Sequence, residues 1–247
     1  MALTYNLTAP AAICLLLPFK VTSMINNTPA RIYKAAQRGL FENNNQRWEA
    51  TFSFEQYQDT NRLAFGSLKV LNDETLAPGK SITRHNTTGT ILLIPLVGAL
   101  EYALNGKMDY TETNEATWLP AQGEITLRNP YENELINFLY ILFDDPIVSE
   151  PTTISINLEE RSKLTPFSLP GAVKAKMGLF NGRAEAIHKL SATNNGLFIF
   201  IISGAFEVQG RLLEARDGLA LWQLEEADME ALSENALVLL LEVPMGS

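Results

Sequence analysis

The sequence contains one cysteine, Cys14, and only two histidines, His85 and His188. A single cysteine cannot form a disulfide within the chain, so no internal cross-link is expected and nothing indicates an oxidising compartment. Two imidazoles are also too few for a metal centre that depends on three histidine ligands. The scarcity of both residue types therefore limits the chemistry that this chain can perform.

Positive charge is the next shortage, because 19 lysines and arginines stand against 28 aspartates and glutamates, giving a formal net charge of -9. The basic residues form no cluster in the sequence. Nucleic-acid affinity depends on lysine and arginine displacing counterions from phosphates. We therefore expect no nucleic-acid partner.

The chain also lacks a long unbroken apolar run. The segment Ala9–Phe19 is apolar, but Pro10 and Pro18 interrupt it and no basic residue precedes it. A membrane helix needs roughly 20 apolar residues, and a secretory signal begins with positive charge. We expect no membrane partner and a cytoplasmic location, and we interpret residues 1–28 as a poorly ordered extension. Our hypothesis is that Met24 is the true start of the protein.

Stretches long enough for a helix are scarce from Pro29 onward, and short apolar runs alternate with turn residues. The clearest predicted strands are Phe65–Leu71, Ile91–Val97, Leu135–Phe143, Phe198–Ile202 and Leu237–Val243. The predicted turns include Asn72-Asp73, Pro78-Gly79, Asn105-Gly106, Asn129-Pro130 and Asp217-Gly218. Residues 224–232 favour a helix by propensity, but we predict a strand there. The pattern as a whole indicates an all-β sandwich or barrel.

Two parts of the sequence resemble each other, which indicates an internal duplication. Val97–Glu101, followed by Asn105-Gly106-Lys107, corresponds to Ser203–Glu207 followed by Gln209-Gly210-Arg211. A second pair, Glu132–Leu135 and Glu234–Leu237, follows at a similar distance. We therefore predict two β domains, residues 29–148 and 149–247.

Several ordered motifs together resemble the pirin family, specifically its bacterial quercetinase-like bicupins. They are Arg38-Gly39, Thr51–Phe54 with Tyr57, Phe65–Asp73, and the stretch Ala77–Gly98 with its Pro-Gly turn and apolar strand. The resemblance extends over about residues 29–244. It implies two cupin domains, each a double-stranded β-helix or jelly-roll barrel, in one chain.

The family holds iron or another divalent metal with a His-x-His pair, a third histidine and a glutamate in its first cupin. Counted back from Gly98, the His-x-His positions fall on Arg84 and Asn86; counted forward from Gly79, they fall on His85 and Thr87. The third histidine is replaced by Leu127 and the glutamate by Asn129. The candidate pocket at the former metal site is therefore Arg84, His85, Asn86, Thr87, Leu127, Arg128 and Asn129, and we expect no metal cofactor.

These residues allow different interpretations. If Arg84 and Arg128 both point into the barrel, their guanidinium groups replace the positive charge of the metal and can bind a carboxylate or enolate; otherwise both face solvent. Asn86 and Asn129 are candidates for hydrogen bonds to a ligand or to each other. His85 is either a remaining ligand or general base, or an ordinary exposed histidine.

With the ligands depleted, we assign no catalytic residue and expect a non-catalytic module that binds an unknown small molecule or a protein partner as a monomer. The alternative is a quercetin 2,3-dioxygenase-like oxidoreductase acting on a flavonol or another enolisable substrate. The resemblance also implies a link to transcription, in which the acidic surface would contact regulatory proteins rather than DNA.

Overall fold

The computed structural model describes residues 28–86 and 88–246. The candidate residue Thr87, Cys14 and almost all of the predicted extension therefore lie outside the described residues. Strands account for nearly all of the regular structure, and one 3₁₀ turn spans Ala35–Gln37. Within these residues, no helix has the length and apolar character needed to cross a bilayer.

The first twelve strands are β1 (Ala30–Tyr33), β2 (Gly39–Glu42), β3 (Gln46–Ala50), β4 (Leu68–Leu76), β5 (Ser81–Asn86), β6 (Thr90–Val97), β7 (Leu100–Leu104), β8 (Lys107–Thr111), β9 (Glu115–Pro120), β10 (Gly123–Arg128), β11 (Ile136–Phe143) and β12 (Thr152–Ser155). The others are β13 (Thr165–Pro166), β14 (Lys174–Phe180), β15 (Glu185–Lys189), β16 (Asn195–Ser203), β17 (Ala205–Val208), β18 (Arg211–Glu214), β19 (Gly218–Leu221), β20 (Glu226–Ala231) and β21 (Ala236–Pro244).

These strands form two barrels, each from one large and one small sheet. In the first barrel, the sheet β12-β9-β6-β11-β4-β3-β2 faces the sheet β5-β10-β7-β8; in the second, β1-β19-β16-β21-β14-β13 faces β15-β20-β17-β18. The two-cupin, all-β fold predicted from the sequence is confirmed.

Three apolar cores hold these sheets together. One fills the first barrel and one fills the second, while the third lies between the two large sheets. Strand β11 contributes side chains to two of these cores. Phe138 and Tyr140 point into the first barrel, whereas Leu139 and Ile141 face the large sheet of the second barrel. This follows from the two-residue period of a strand.

Two strands pair across the predicted domain boundary at residue 148. Strand β1, from the N-terminal half, adds to the second barrel by pairing with β19, and β12, from beyond the boundary, adds to the first barrel by pairing with β9. The exchange joins the two barrels through backbone hydrogen bonds as well as through side chains. The boundary itself stays a prediction.

The first pair of similar segments has matching backbone conformations, as an internal duplication predicts. Gly98 and Gly204 follow corresponding strands and have φ values of 73° and 76°. The hairpin turns Asn105-Gly106 and Gln209-Gly210 each have two residues with positive φ. Such pairs form the tight turns whose twist suits a β hairpin.

Strand β4 corrects one prediction, because Asn72-Asp73 lies in the middle of the strand rather than in a turn. Each side chain has a partner: the Asn72 amide donates to Glu74, and Asp73 accepts from Asn137 and Arg216. Buried polar residues are tolerated in a strand when they are hydrogen-bonded.

The choice of a strand for residues 224–232 is confirmed by β20. Ala227, Met229 and Ala231 are buried in the second barrel, whereas Glu226 and Asp228 are exposed. The strict alternation of apolar and acidic residues therefore outweighs helix propensity.

Gly204→Ala should destabilise the chain by about 2 to 4 kcal/mol, measured by chemical denaturation. Its φ is positive, and an added Cβ would lie 2.9 Å from the Cα of Ala236. Gly210→Ala is the control, because its φ is also positive but nothing lies within 4 Å of the new atom. The control should lower the unfolding free energy by only about 1 kcal/mol. If both variants lost the same unfolding free energy, close packing at Gly204 would not be the cause.

Candidate functional site

The inner wall of the first barrel contains one of the candidate arginines, Arg84 on β5. In the pairing of β5 with β10, Arg84 lies opposite Ile125 and Ile82 lies opposite Leu127. Ile125 and Leu127 belong to the core of the barrel. Arg84 shares their face, since facing residues of paired strands point to the same side of a sheet. Its neighbour His85 points the other way.

Arg84 forms a buried ion pair with Glu74 on β4. Its Nη1 lies 3.0 Å from Glu74 Oε1, and the two side chains are only 9% and 1% exposed. Asn72 Nδ2 also donates to Glu74 Oε1 at 3.0 Å, and a carboxylate oxygen of Glu55 lies 3.7 Å from Arg84 Nε. The guanidinium is thus held between acidic groups inside the barrel.

Aromatic rings enclose the same guanidinium. The central carbon of Arg84 lies 4.5 Å from the ring centre of Tyr140 and 5.1 Å from that of Phe54. Burial alone would lower the pKa of Arg84, but the Glu74 carboxylate, with Tyr140 beside it, holds that pKa above its ordinary value. The group is therefore a permanent positive charge, stabilised by a carboxylate and by two π faces.

Arg128 and His85 lie outside the barrel. Arg128 Nη1 donates to Glu101 Oε2 at 2.6 Å on the outer face of the sheet, and the arginine side chain is 46% exposed. His85 is 74% exposed, with Glu124 at 3.7 Å. The structure therefore places one arginine in each of the two predicted environments, and it leaves His85 at the surface.

Asn129 is buried, and both polar atoms of its side chain are hydrogen-bonded to backbone groups. Nδ2 donates to the carbonyl oxygens of Leu76, Ala77 and Glu134 at 2.7–3.1 Å, and Oδ1 accepts from the Tyr131 amide at 2.9 Å. Asn129 therefore fastens two loops at the end of the barrel. Thr87 and the side chain of Asn86 lie outside the described part of the structure.

Known proteins resemble this chain in sequence. A family model described as the quercetinase C-terminal cupin domain matches residues 170–243. Quercetin 2,3-dioxygenase from Escherichia coli K12 is 26% identical over 213 residues, covering 78% of this chain and 90% of the relative. The predicted resemblance to the quercetinase-like bicupins of the pirin family is confirmed.

Solved structures share its fold. The E. coli pirin YhhW, crystallised in complex with nickel(II), superposes with a TM-score of 0.80 at 20% identity, covering 88% of this chain and 100% of that chain. A quercetin 2,3-dioxygenase from Acinetobacter baumannii superposes with a TM-score of 0.67 at 11% identity, covering 89% of this chain and 80% of that chain.

The described residues do not fit a divalent metal in the first barrel. Nowhere in residues 28–86 and 88–246 do three His, Cys, Asp or Glu side chains come together as metal ligands. The inward side chains are instead the Arg84 cation and the apolar Leu127. A fixed guanidinium repels a metal cation, and leucine offers no donor atom.

Sequence reasoning did not identify Glu74, the partner that decides the role of Arg84. The position of Glu74 in β4 was the sequence signal that could have revealed it. Residues 70, 72, 74 and 76 share one face of the strand, and Val70 and Leu76 belong to the barrel core. A glutamate in phase with core residues requires a cationic or hydrogen-bonding partner inside the protein.

The second barrel of the bicupin contains another buried polar group, centred on Glu242 of β21. Glu242 Oε1 accepts from Asn195 Nδ2 at 2.7 Å and from Ser191 Oγ at 2.6 Å. His188 Nε2 lies 3.2 Å from Glu242 Oε2. Burial, together with the nearby charge of Lys176, lowers the pKa of His188 even though Glu242 acts against this. The imidazole is therefore neutral near pH 7 and donates to Glu242.

Glu74→Gln should destabilise the bicupin by about 3 to 5 kcal/mol, because it leaves the Arg84 charge buried without a carboxylate. The double variant Glu74→Leu with Arg84→Met should lose much less unfolding free energy, since neither charge of the pair then remains in the core. Urea denaturation measures both. Glu101→Gln, which breaks the exposed pair with Arg128, is the control and should change stability by less than about 1 kcal/mol. A Glu74→Gln loss no larger than this would contradict the ion-pair account.

Acidification should destabilise the second barrel through His188. A lowered folded pKa means that its contribution is complete above the unfolded value of 6.5 and is lost as pH falls below it. The unfolding free energy should therefore fall between about pH 7 and 5, and His188→Gln should flatten that slope. The control His85→Gln, at an exposed position, should retain it. Equal slopes in the parent and His188→Gln would contradict this assignment.

Proposed function

We propose that this chain is a non-catalytic pirin-family bicupin that acts as a small-molecule-binding or protein-interaction module, as a monomer in the cytoplasm. The single observation that carries the proposal is the Arg84–Glu74 ion pair inside the first barrel. A permanently charged guanidinium neither changes oxidation state nor supplies an open coordination position. It therefore does not replace the redox and Lewis-acid chemistry that a metal supplies.

The packing around the pair supports the same proposal. Arg84 lies between the rings of Phe54 and Tyr140, and Leu127, Leu93 and neighbouring core side chains are fully buried. Side chains thus pack closely around Arg84 inside the barrel. A catalytic pocket normally combines open space with a few converging polar groups.

A pocket of about 360 Å³ at the side of the first barrel offers one place for a ligand. Tyr102 and Leu104 of β7 line it together with Lys107 and Asp109 of β8. Burial and the nearby Asp109 raise the pKa of Tyr102 to about 12, so its hydroxyl keeps its proton at neutral pH. Glu150 lines it as well, so the pocket combines apolar surface with a phenol, an ammonium and two carboxylates.

The alternative is an enzyme that acts on a flavonol or a similar enolisable substrate. It is favoured by the 26% identity to a relative named quercetin 2,3-dioxygenase. In that case, Arg84 would have to leave Glu74 and bind an enolate. The cost of separating a buried ion pair argues against this step.

Metal content and quercetin turnover separate the two functions. We expect the chain, produced with iron or nickel in the medium, to contain far less than about one metal ion per molecule and to leave quercetin unchanged. The E. coli quercetin 2,3-dioxygenase, purified in parallel, is the positive control. Elemental analysis and the loss of quercetin absorbance measure the two quantities. Stoichiometric metal or turnover above the buffer rate would overturn the non-catalytic proposal.

A further inference from the structure

A cleft at the junction of the two barrels combines a polar end with an aromatic end. Its polar hollow, about 470 Å³, lies between β1 and residues 59–62; its apolar hollow, about 170 Å³, lies beside Phe65 and Trp222. The side chains of Arg31 and Tyr33 line both hollows. We call the two hollows together the junction cleft.

The polar end carries an excess of positive charge. Arg31 and Arg62 line it with one carboxylate, Asp59. Asp59 already accepts the Asn61 amide at 2.8 Å through Oδ1 and lies 3.4 Å from the Tyr57 hydroxyl through Oδ2. This local excess stands out in a chain whose formal net charge is -9. An anionic group is the natural complement of such a patch.

The two arginines differ in their freedom to bind a ligand. Arg62 is 6% exposed, donates to Thr51 O and to Gln37 Oε1 at 3.2 and 3.3 Å, and lies 5.6 Å from the ring centre of Tyr33. Arg31 is exposed; its Nη1 donates to Asn61 O over a long 3.3 Å, and its side chain also hydrogen-bonds the neighbouring Tyr33. Arg62 therefore shapes the site, while Arg31 is the group that can reorient towards a ligand.

The hydroxyl of Tyr33 adds a neutral donor between the hollows. Burial raises the pKa of Tyr33, while Arg31 and Arg62 act against this. The ring packs against Phe52 and Phe198, at 5.3 and 5.6 Å between ring centres, so the hydroxyl has a fixed place.

The apolar end presents aromatic and flexible surface. The rings of Phe65 and Trp222 lie 6.4 Å apart at 55°, and Met245 and Ala220 complete the wall. Trp222 is partly exposed, whereas Phe65 is anchored by Phe198 at 6.0 Å. Such surfaces bind flat apolar rings, and methionine adapts to their outline.

We propose that the junction cleft binds a small aromatic carboxylate, whose ring lies against Phe65 and Trp222 and whose carboxylate pairs with Arg31 and the Tyr33 hydroxyl. A planar guanidinium matches a carboxylate with two hydrogen bonds. The size of the apolar hollow suits a single ring. This site is separate from the first barrel and goes beyond the function proposed above.

Trp222 provides a built-in reporter for the test. The chain has three tryptophans, and the other two, Trp48 and Trp118, are fully buried in the cores. Benzoate should produce a saturable change in tryptophan fluorescence with a dissociation constant in the millimolar range, as suits a fragment of its size. Benzamide, which has the same shape without the charge, should bind at least about tenfold more weakly.

Variants locate the binding. Arg31→Gln should weaken benzoate binding at least about tenfold, whereas Arg183→Gln, which removes an exposed arginine from the second barrel, should leave binding unchanged. Trp222→Phe should abolish the fluorescence change while calorimetry still detects binding.

The proposal is overturned if benzoate gives no saturable change, if benzamide binds equally well, or if Arg31→Gln binds like the parent. It is also overturned if the fluorescence change survives in Trp222→Phe, because the ligand would then lie near a buried tryptophan. None of these outcomes depends on metal content or quercetin turnover, so failure here is distinguishable from failure of the non-catalytic proposal.

Discussion

The apolar contact between the two large sheets is the constraint on which the rest of the molecule depends. Each large sheet is covered on both faces, by its own small sheet on one side and by the other large sheet on the other. Trp118 and Phe143 stack at 5.9 Å within the shared core, and the Trp118 indole donates to the Phe167 carbonyl at 3.2 Å. A strand buried on both faces is apolar over most of its length, and its buried polar residues need hydrogen-bond partners. This accounts for β16, in which Leu197 to Ile202 form an unbroken buried apolar run.

Polar groups fix how the two barrels meet. Arg216, which precedes β19, donates through Nε to Asp73 Oδ2 of β4 at 2.5 Å. On the neighbouring residue, Asp217 accepts from Lys34 at 2.7 Å and from the Ala35 amide at 2.8 Å. Apolar packing is not directional, whereas these charge-assisted bonds require one relative position. The junction cleft can therefore keep a defined shape although it is built from both halves of the chain.

Much of the fold was predictable from the sequence, because its signals are local. The local signals are the strand periodicity, the similar segments around Gly98 and Gly204, and the Asn105-Gly106 turn. Each of them depends on a few adjacent residues. The error at Asn72-Asp73 has a non-local cause. Those residues favour turns by themselves, and only Glu74, Asn137 and Arg216 make them acceptable within a strand.

The candidate site was only partly predictable, for the same reason. Counting histidines indicates that the ligands are depleted but not what takes their place. A one-residue change of register moves every side chain of a strand to the opposite face. Whether Arg84 or His85 lies inside therefore depended on a loop whose length did not match the family pattern. The pairing of β5 with β10 places Arg84 on the core face.

The Arg84–Glu74 pair changes what the first barrel can do. A metal site must exchange ligands, so it needs an open position and donors that tolerate movement. An ion pair with 1% exposure at Glu74 and two rings against the guanidinium gains its stability from remaining closed. Separating the pair to admit a substrate would leave two charges unpaired in an apolar core. The free energy of that separation exceeds the binding free energy of most small ligands. Selection for any binding function would therefore act more easily on the surface pockets, where the charges of Arg31 and Lys107 remain accessible to solvent.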